Sequence, residues 1–98
     1  MDGLRIEWDE SKSRGNLRKH GVSFQEAATV FTDERALLLA DPAHSDEEDR
    51  FVLLGLGASL RLLVVCRCYR RGDEWIRIIS ARKATQSEAK VYAQRWGT

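Results

Sequence analysis

Arg61, Arg67, Arg77 and Lys83 lie within one short stretch of the chain, interleaved with Tyr69 and Trp75. Guanidinium groups fork onto phosphate oxygens. Aromatic faces stack on the bases of single strands. These six side chains on one surface would suit a phosphodiester backbone with unstacked bases. Two arginines directly opposite each other on neighbouring strands are unfavourable, on a scale of ~0.2–1 kcal/mol per cross-strand pair. Such an arrangement therefore asks for a counter-anion. A plainer reading of the same residues is a solvated sheet face, or one paired with the acidic run Asp46–Asp49.

The elements that would position this cluster are two apolar-rich runs, Leu60–Arg70 and Glu74–Lys83, joined at Arg71-Gly72-Asp73. They read as a β-hairpin. With a three-residue loop, Tyr69 faces Trp75, Arg67 faces Arg77, Val65 faces Ile79, Leu63 faces Ala81 and Arg61 faces Lys83. Strand alternation then puts all ten on one side. Leu62, Val64, Cys66, Cys68, Ile76 and Ile78 take the other side, which the helices are expected to cover. A two-residue loop would change the parity and mix arginines with the core side, and a bulge would alter the reading again.

The rest of the chain supplies the frame. Leu4–Trp8 alternates as a short strand does. Residues 11–20 read as a polar helix ended by Gly21. Ser23 and Glu26 form a capping box ahead of Phe24, Ala27, Ala28 and Phe31. Ala36–Ala40 and Phe51–Leu56 read as strands, with Asp41-Pro42 and an acidic loop between them. Thr85 and Glu88 repeat the capping box before Ala89, Tyr92, Ala93 and Trp96. The predicted order is β-α-α-β-β-β-β-α, a single α+β domain over residues 1–98 with an antiparallel sheet and helices packed on one face.

Composition narrows the class. The chain has 98 residues, 43% hydrophobic and 32% charged, which fits one globular domain and neither a disordered nor a fibrous protein. No apolar run has the length of a membrane span, and the first residues lack a secretory signal, so a cytoplasmic location is expected. Cys66 and Cys68 are too close for a comfortable disulfide and form no zinc pattern, so both read as core residues. A metal site at His44, Asp46 and Glu47 is not implied by their spacing. The net charge of +1 hides an asymmetry: residues 1–60 carry seven Lys/Arg and twelve Asp/Glu, and residues 61–98 carry nine and three. The basic part can attract a polyanion, or simply attract the acidic part within the fold.

Four blocks carry a resemblance: Ile6-Glu7-Trp8-Asp9, Asn16 through Phe24, Asp41 through Ser45, and Arg77 through Ala84. In this order they resemble the BrnT family, toxins of type II toxin–antitoxin pairs that are similar in fold to RelE-type ribonucleases. The resemblance implies RNA cleavage that halts translation. It also implies a BrnA-like antitoxin whose ribbon-helix-helix part binds operator DNA, so that the toxin meets DNA only through its antitoxin.

Under that resemblance Arg67 and Arg77 are the catalytic cations of the open sheet face. The substrate's 2′-hydroxyl attacks the adjacent phosphorus, giving a cyclic phosphate and a free 5′-hydroxyl, and the two arginines stabilise the extra charge. No metal or other cofactor is required. Histidine is the side chain that ordinarily titrates near neutrality, and the chain has two. His20 is a candidate for proton transfer or a helix-terminal cap. His44 is a second candidate or a plain surface residue. Lys83 joins the catalytic set, and Arg61, Tyr69, Trp75 and Arg82 the RNA-binding set. The competing reading is a non-catalytic module that acts as a corepressor with its antitoxin.

Overall fold

The computed structural model describes residues 5–40, 50–70 and 75–96. Strand β1 (Arg5–Glu7) leads to helices α1 (Glu10–His20) and α2 (Phe24–Thr29) and a 3-10 turn at Val30–Thr32. Strands β2 (Leu37–Ala40), β3 (Arg50–Leu56), β4 (Leu62–Arg70) and β5 (Trp75–Lys83) follow, and helix α3 (Gln86–Trp96) closes the chain. The predicted element order holds. His44, the Asp46–Asp49 run, the Arg71-Gly72-Asp73 turn and the Trp96 side chain lie outside the described residues. Among those described, no helix is long and apolar enough to cross a membrane.

Local chemistry sets the helix ends. Asp9 accepts the Lys12 N–H at 3.1 Å to start α1. Gly21, at φ 74°, ends it by donating its N–H to the Leu17 carbonyl, a left-handed conformation that suits glycine. The Thr85/Glu88 box is reciprocal: Thr85 N–H reaches Glu88 Oε1 at 2.8 Å, and Glu88 N–H reaches Thr85 Oγ1 at 3.2 Å. At α2 only half of the box forms. Ser23 Oγ accepts the Glu26 N–H, while the Glu26 carboxylate is taken by Ser59 and Arg61.

The polarity of α1 has a structural cause. It docks through hydrogen bonds rather than an apolar stripe. Buried Asn16 donates Nδ2 to the carbonyls of Val22 (2.7 Å) and Ala81 (2.8 Å), and its Oδ1 accepts the Ala81 N–H (3.2 Å). Buried Ser13 accepts the Phe24 N–H at 2.9 Å. Each such bond contributes about 1 kcal/mol net, and more is lost when its buried partner is stranded.

The sheet order is β1-β5-β4-β3-β2. Three pairings are antiparallel, but β1 runs parallel to β5, which the expected all-antiparallel sheet did not include. The core lies under α1 and α2, where Val22, Phe24, Ala27 and Val30 meet Leu53, Leu63, Val65, Ile78 and Ala81. Gly55 lets β3 approach this layer closely. A Cβ there would stand 2.8 Å from both Ala36 Cβ and Val30 Cγ1. Helix α3 lies against the other side: Arg82, which shares a face with Val64, holds Glu88, and Tyr92 holds Asp33 beside Leu56. Leu54 and Val64 on that side are buried. One-sided helix packing thus describes α1 and α2 but not α3.

The hairpin register differs from the expected one. Val65 pairs with Ala81 and Cys66 with Ser80, then the register shifts so that Arg67 pairs with Ile78, Cys68 with Arg77, Tyr69 with Ile76 and Arg70 with Trp75. Ile79 is the unmatched residue of a β-bulge. Bulges reverse alternation on the strand that carries them. Leu63, Val65, Arg67 and Tyr69 therefore share the helix side with Ile76, Ile78, Ala81 and Lys83. Leu62, Val64, Cys66 and Cys68 share the other side with Trp75, Arg77, Ser80 and Arg82. The expected helix-covered face of β4 is thus inverted. Both cysteines are free thiols, half-buried on the α3 side rather than in the main core.

Candidate active site

At the rim where β4 ends, the helix side of the sheet carries an unusual row. Phe51, Arg67 and Ile78 stand on three adjacent strands. The Arg67 guanidinium carbon lies 4.6 Å from the ring centre of Tyr69, 5.5 Å from that of Phe31 and 5.8 Å from that of Phe51. Phe51 and Tyr69 meet edge to face at 5.8 Å and 73°. Arg67 is 4% exposed, its Nε is buried without a hydrogen-bond partner, and among the described residues no carboxylate pairs with it.

That combination is costly. Taking a cation out of water costs several kcal/mol. Three ring faces return about 0.5–2 kcal/mol each, but they leave the Nε–H unsatisfied. Such a group can receive an anion where the rings give way, because much of its desolvation has already occurred on folding.

Arg77 does not share this site. It pairs with Cys68 and with Glu7, and so emerges on the opposite face. Its Nε stands 3.7 Å from Glu7 Oε2, with side-chain exposures of 34% and 25%. Trp75 lies on Arg77's side, with Arg5 over its ring at 5.8 Å. The expectation that Arg67 and Arg77 stand side by side, with Tyr69 opposite Trp75, is therefore overturned. The bulge at Ile79 and the one-residue change in register are the cause, since a slip of one residue moves a side chain to the other face.

The remaining candidates cluster at the far end of the sheet. Arg61 donates Nε to Glu26 Oε2 at 2.9 Å and Nη2 to the Gly21 carbonyl at 2.8 Å, and its Nη2 also bonds Glu26 Oε1. This hydrogen bonding outweighs burial, and with the Ser59 hydroxyl it holds the Glu26 carboxyl below its ordinary range. Arg61 is thus a clasp between β4 and the start of α2. Arg82 makes two 2.9 Å bonds to Glu88, which with the Thr85 N–H bring that carboxyl down to about 2 against the effect of burial. Lys83 is exposed and stands opposite Leu63, four residues along β4 from Arg67, or roughly 13 Å by strand rise. His20 ends α1 beside Gly21, whose carbonyl accepts from Arg61 just ahead of β4, six residues and roughly 20 Å of strand rise from Arg67. None of these four is brought to the caged guanidinium.

Sequence reasoning missed two of the cage's rings. Phe31 reads as packing, and it does pack against the core, but it also faces Arg67. Phe51 stands opposite Arg67 across the β3–β4 pair, a neighbour that only the register reveals. Glu7 and Arg5, the neighbours of Arg77 and Trp75, depend on the parallel pairing of β1. Among the described residues, no three His, Cys, Asp or Glu gather into a possible metal site.

Comparison with known proteins agrees with the fold and adds chemistry. No curated protein matches the chain. The crystal structure of the Brucella abortus ribonuclease toxin BrnT is similar at a TM-score of 0.64 and 27% identity, over 86% of this chain and 100% of that one. A family model described as the ribonuclease toxin BrnT of type II toxin–antitoxin systems matches residues 8–88. By that match across most of its length, the chain belongs to the BrnT family of ribonuclease toxins.

Proposed function

We propose that this BrnT chain cleaves single-stranded RNA without a metal, using Arg67 to hold the phosphate that reacts. Membership of a type II toxin family brings an antitoxin partner and an RNA target. The finer reading rests on one observation: a buried guanidinium, faced by three rings, with an unsatisfied N–H. In the reaction a 2′-oxygen forms a bond to phosphorus and the bond to the 5′-oxygen breaks. The 2′-hydroxyl loses its proton and the departing 5′-oxygen gains one. Negative charge grows on the phosphate oxygens between these events. A fixed cation in a dry setting stabilises that charge more than it stabilises the ground state. Tyr69 and Phe51 offer aromatic surface beside it for an unstacked base. Because Arg67 is so little exposed, the phosphate enters by displacing ring contacts.

Arg77 is no partner of Arg67 on one phosphate, because it lies across the sheet. Lys83, His20, Arg61 and Arg82 stand too far along the strands to share that phosphate. A BrnA-like antitoxin with a ribbon-helix-helix part neutralises the toxin in the cytoplasm and supplies the contact with operator DNA.

The test uses purified, antitoxin-free protein, single-stranded RNA and a chelator. The expected products carry 2′,3′-cyclic phosphate and 5′-hydroxyl ends. Arg67→Ala, checked for folding, is expected to lower the rate by about 10²–10³-fold, the scale for losing one such donor. Cleavage that needs added metal removes the metal-free mechanism. Intact RNA, together with antitoxin binding, makes the chain a non-catalytic corepressor module.

A further inference from the structure

The solvent face of α1 is the strongest feature outside the Arg67 site. The helix buries Ser13 and Asn16, while Lys12, Arg14, Arg18 and Lys19 are all exposed. None of these four cationic groups has a hydrogen bond or ion pair among the described residues. The acid of the first turn, Glu10, is turned to Trp8 and Gln25, and Asp9 ahead of it caps the Lys12 N–H. Arg14 and Arg18 are four residues apart, and like charges at that spacing oppose the helix. Gly15 weakens it further. A Cβ at this mid-helix position would meet nothing within 4 Å, so no neighbour in the fold asks for glycine.

Residues three and four apart are neighbours on a helix surface. Gly15 is therefore bordered by Ser11, Lys12, Arg18 and Lys19, a bare patch of backbone ringed by one hydroxyl and three cations. Lys83, exposed two residues past the Ala81 that Asn16 holds, adds charge on the side of β5 that α1 covers. A phosphate over Gly15 accepts from Ser11 and is neutralised from several directions. The missing side chain lets a sugar–phosphate chain come close. The helix carries no Phe, Tyr or Trp to stack on a base. Leu17 is its exposed large apolar side chain, too little to anchor in a lipid surface.

We infer that the Gly15 face of α1 seats a backbone phosphate of the substrate RNA, away from the phosphate that reacts. Helix α1 lies on the same side of the sheet as Arg67. The seat responds to charge and shape rather than to base identity, so it strengthens the binding of longer RNA and leaves the bond-breaking step alone. This rests on the cleavage reading above, and the experiment separates the two.

The probe is a labelled, fully 2′-O-methylated RNA dodecamer, which lacks the attacking hydroxyl, bound to the full chain and followed by anisotropy. Gly15→Gln fills the seat without changing charge and replaces glycine by a good helix former. It is expected to raise Tm and yet weaken dodecamer binding about 5-fold, two opposite effects that a purely structural glycine would not give. Arg18→Ala/Lys19→Ala is expected to weaken binding about 4–25-fold, from two exposed charge contacts at up to about 5-fold each. It should also lower the salt slope by about 1.4, or about 0.7 per phosphate contact. Lys90→Glu on exposed α3 removes the same two units of charge and should bind as the parent does. With a cleavable dodecamer KM should rise at constant kcat, while a dinucleotide is cut as fast as by the parent. Unchanged dodecamer binding in Gly15→Gln and in the double variant overturns the seat while leaving cleavage intact. An equal loss in Lys90→Glu overturns it too, because net charge alone then explains the binding. Loss of antitoxin binding with RNA binding preserved overturns it in favour of a protein interface. A chain that binds the dodecamer through these residues yet cuts nothing keeps the seat and rejects the ribonuclease reading.

Discussion

Replacing Arg67 by methionine should make the protein more stable and far less active. Methionine has similar length, no charge and no N–H to satisfy. The substitution forfeits three cation–π contacts, about 2–3 kcal/mol together if each counts in the lower half of its range, since the three rings share one cation. A thioether against the same rings restores about 1 kcal/mol. Removing an unpaired buried cation with one stranded donor recovers several kcal/mol. The balance favours the variant by about 2 kcal/mol, or roughly 8–16 °C in Tm for a domain of this size. Urea unfolding and calorimetry read the stability, and cleavage of single-stranded RNA reads the activity, which should fall about 10²–10³-fold. A methionine variant less stable than the parent would show that Arg67 is a structural strut, and retained cleavage would remove it from the chemistry. Either result refutes the receptor argument.

Three further outcomes follow from the frame. Asn16→Ala should destabilise the fold by about 3 kcal/mol in urea unfolding, because it strands the Val22 carbonyl and both backbone groups of Ala81. Gly55→Ala should cost about 1–3 kcal/mol by the same assay, since its methyl would press on Ala36 and Val30. Glu88 has its folded value depressed from 4.5 to about 2, so its contribution is full above the unfolded value and is lost as pH falls from 4.5 through 2. With side-chain exposures of 44% for Arg82 and 31% for Glu88, solvent screening leaves about 1 kcal/mol. Glu88→Gln should be less stable than the parent by that amount at neutral pH, and the difference should shrink below pH 4.5 and vanish only once pH has fallen past 2.

The sequence was most informative where structure depends on near neighbours. Gly21 and the Thr85/Glu88 box are readable because their partners lie within four residues. The polar character of α1 was legible too, but its reason, Asn16 reaching Ala81, spans most of the chain. The face assignment failed for a definite physical cause. β4 is covered on both sides, by α1 and α2 on one and by α3 over part of the other. Leu62 and Val64 are therefore as apolar as Leu63 and Val65, and alternation carries no sign. The register then depends on a bulge that no residue in β5 announces. Arg67 was chosen for its charge and its place in the hairpin. Its setting could not be read, because Phe31, Phe51 and Tyr69 meet only once three separate elements are in place.

The unmatched residue in β5 gives that strand two phases. Before Ile79, even-numbered positions look toward α1 and α2, and after it odd-numbered positions do. One half-strand supplies Ala81 to the interior while the other displays Trp75 and Arg77 outward, and neither fixes the polarity of the other. Gain or loss of a single residue at that point would turn Ile76 and Ile78 out of the core and Trp75 and Arg77 into it. The extra residue therefore ties the outward display of those two side chains to the interior packing of the isoleucines between and beside them.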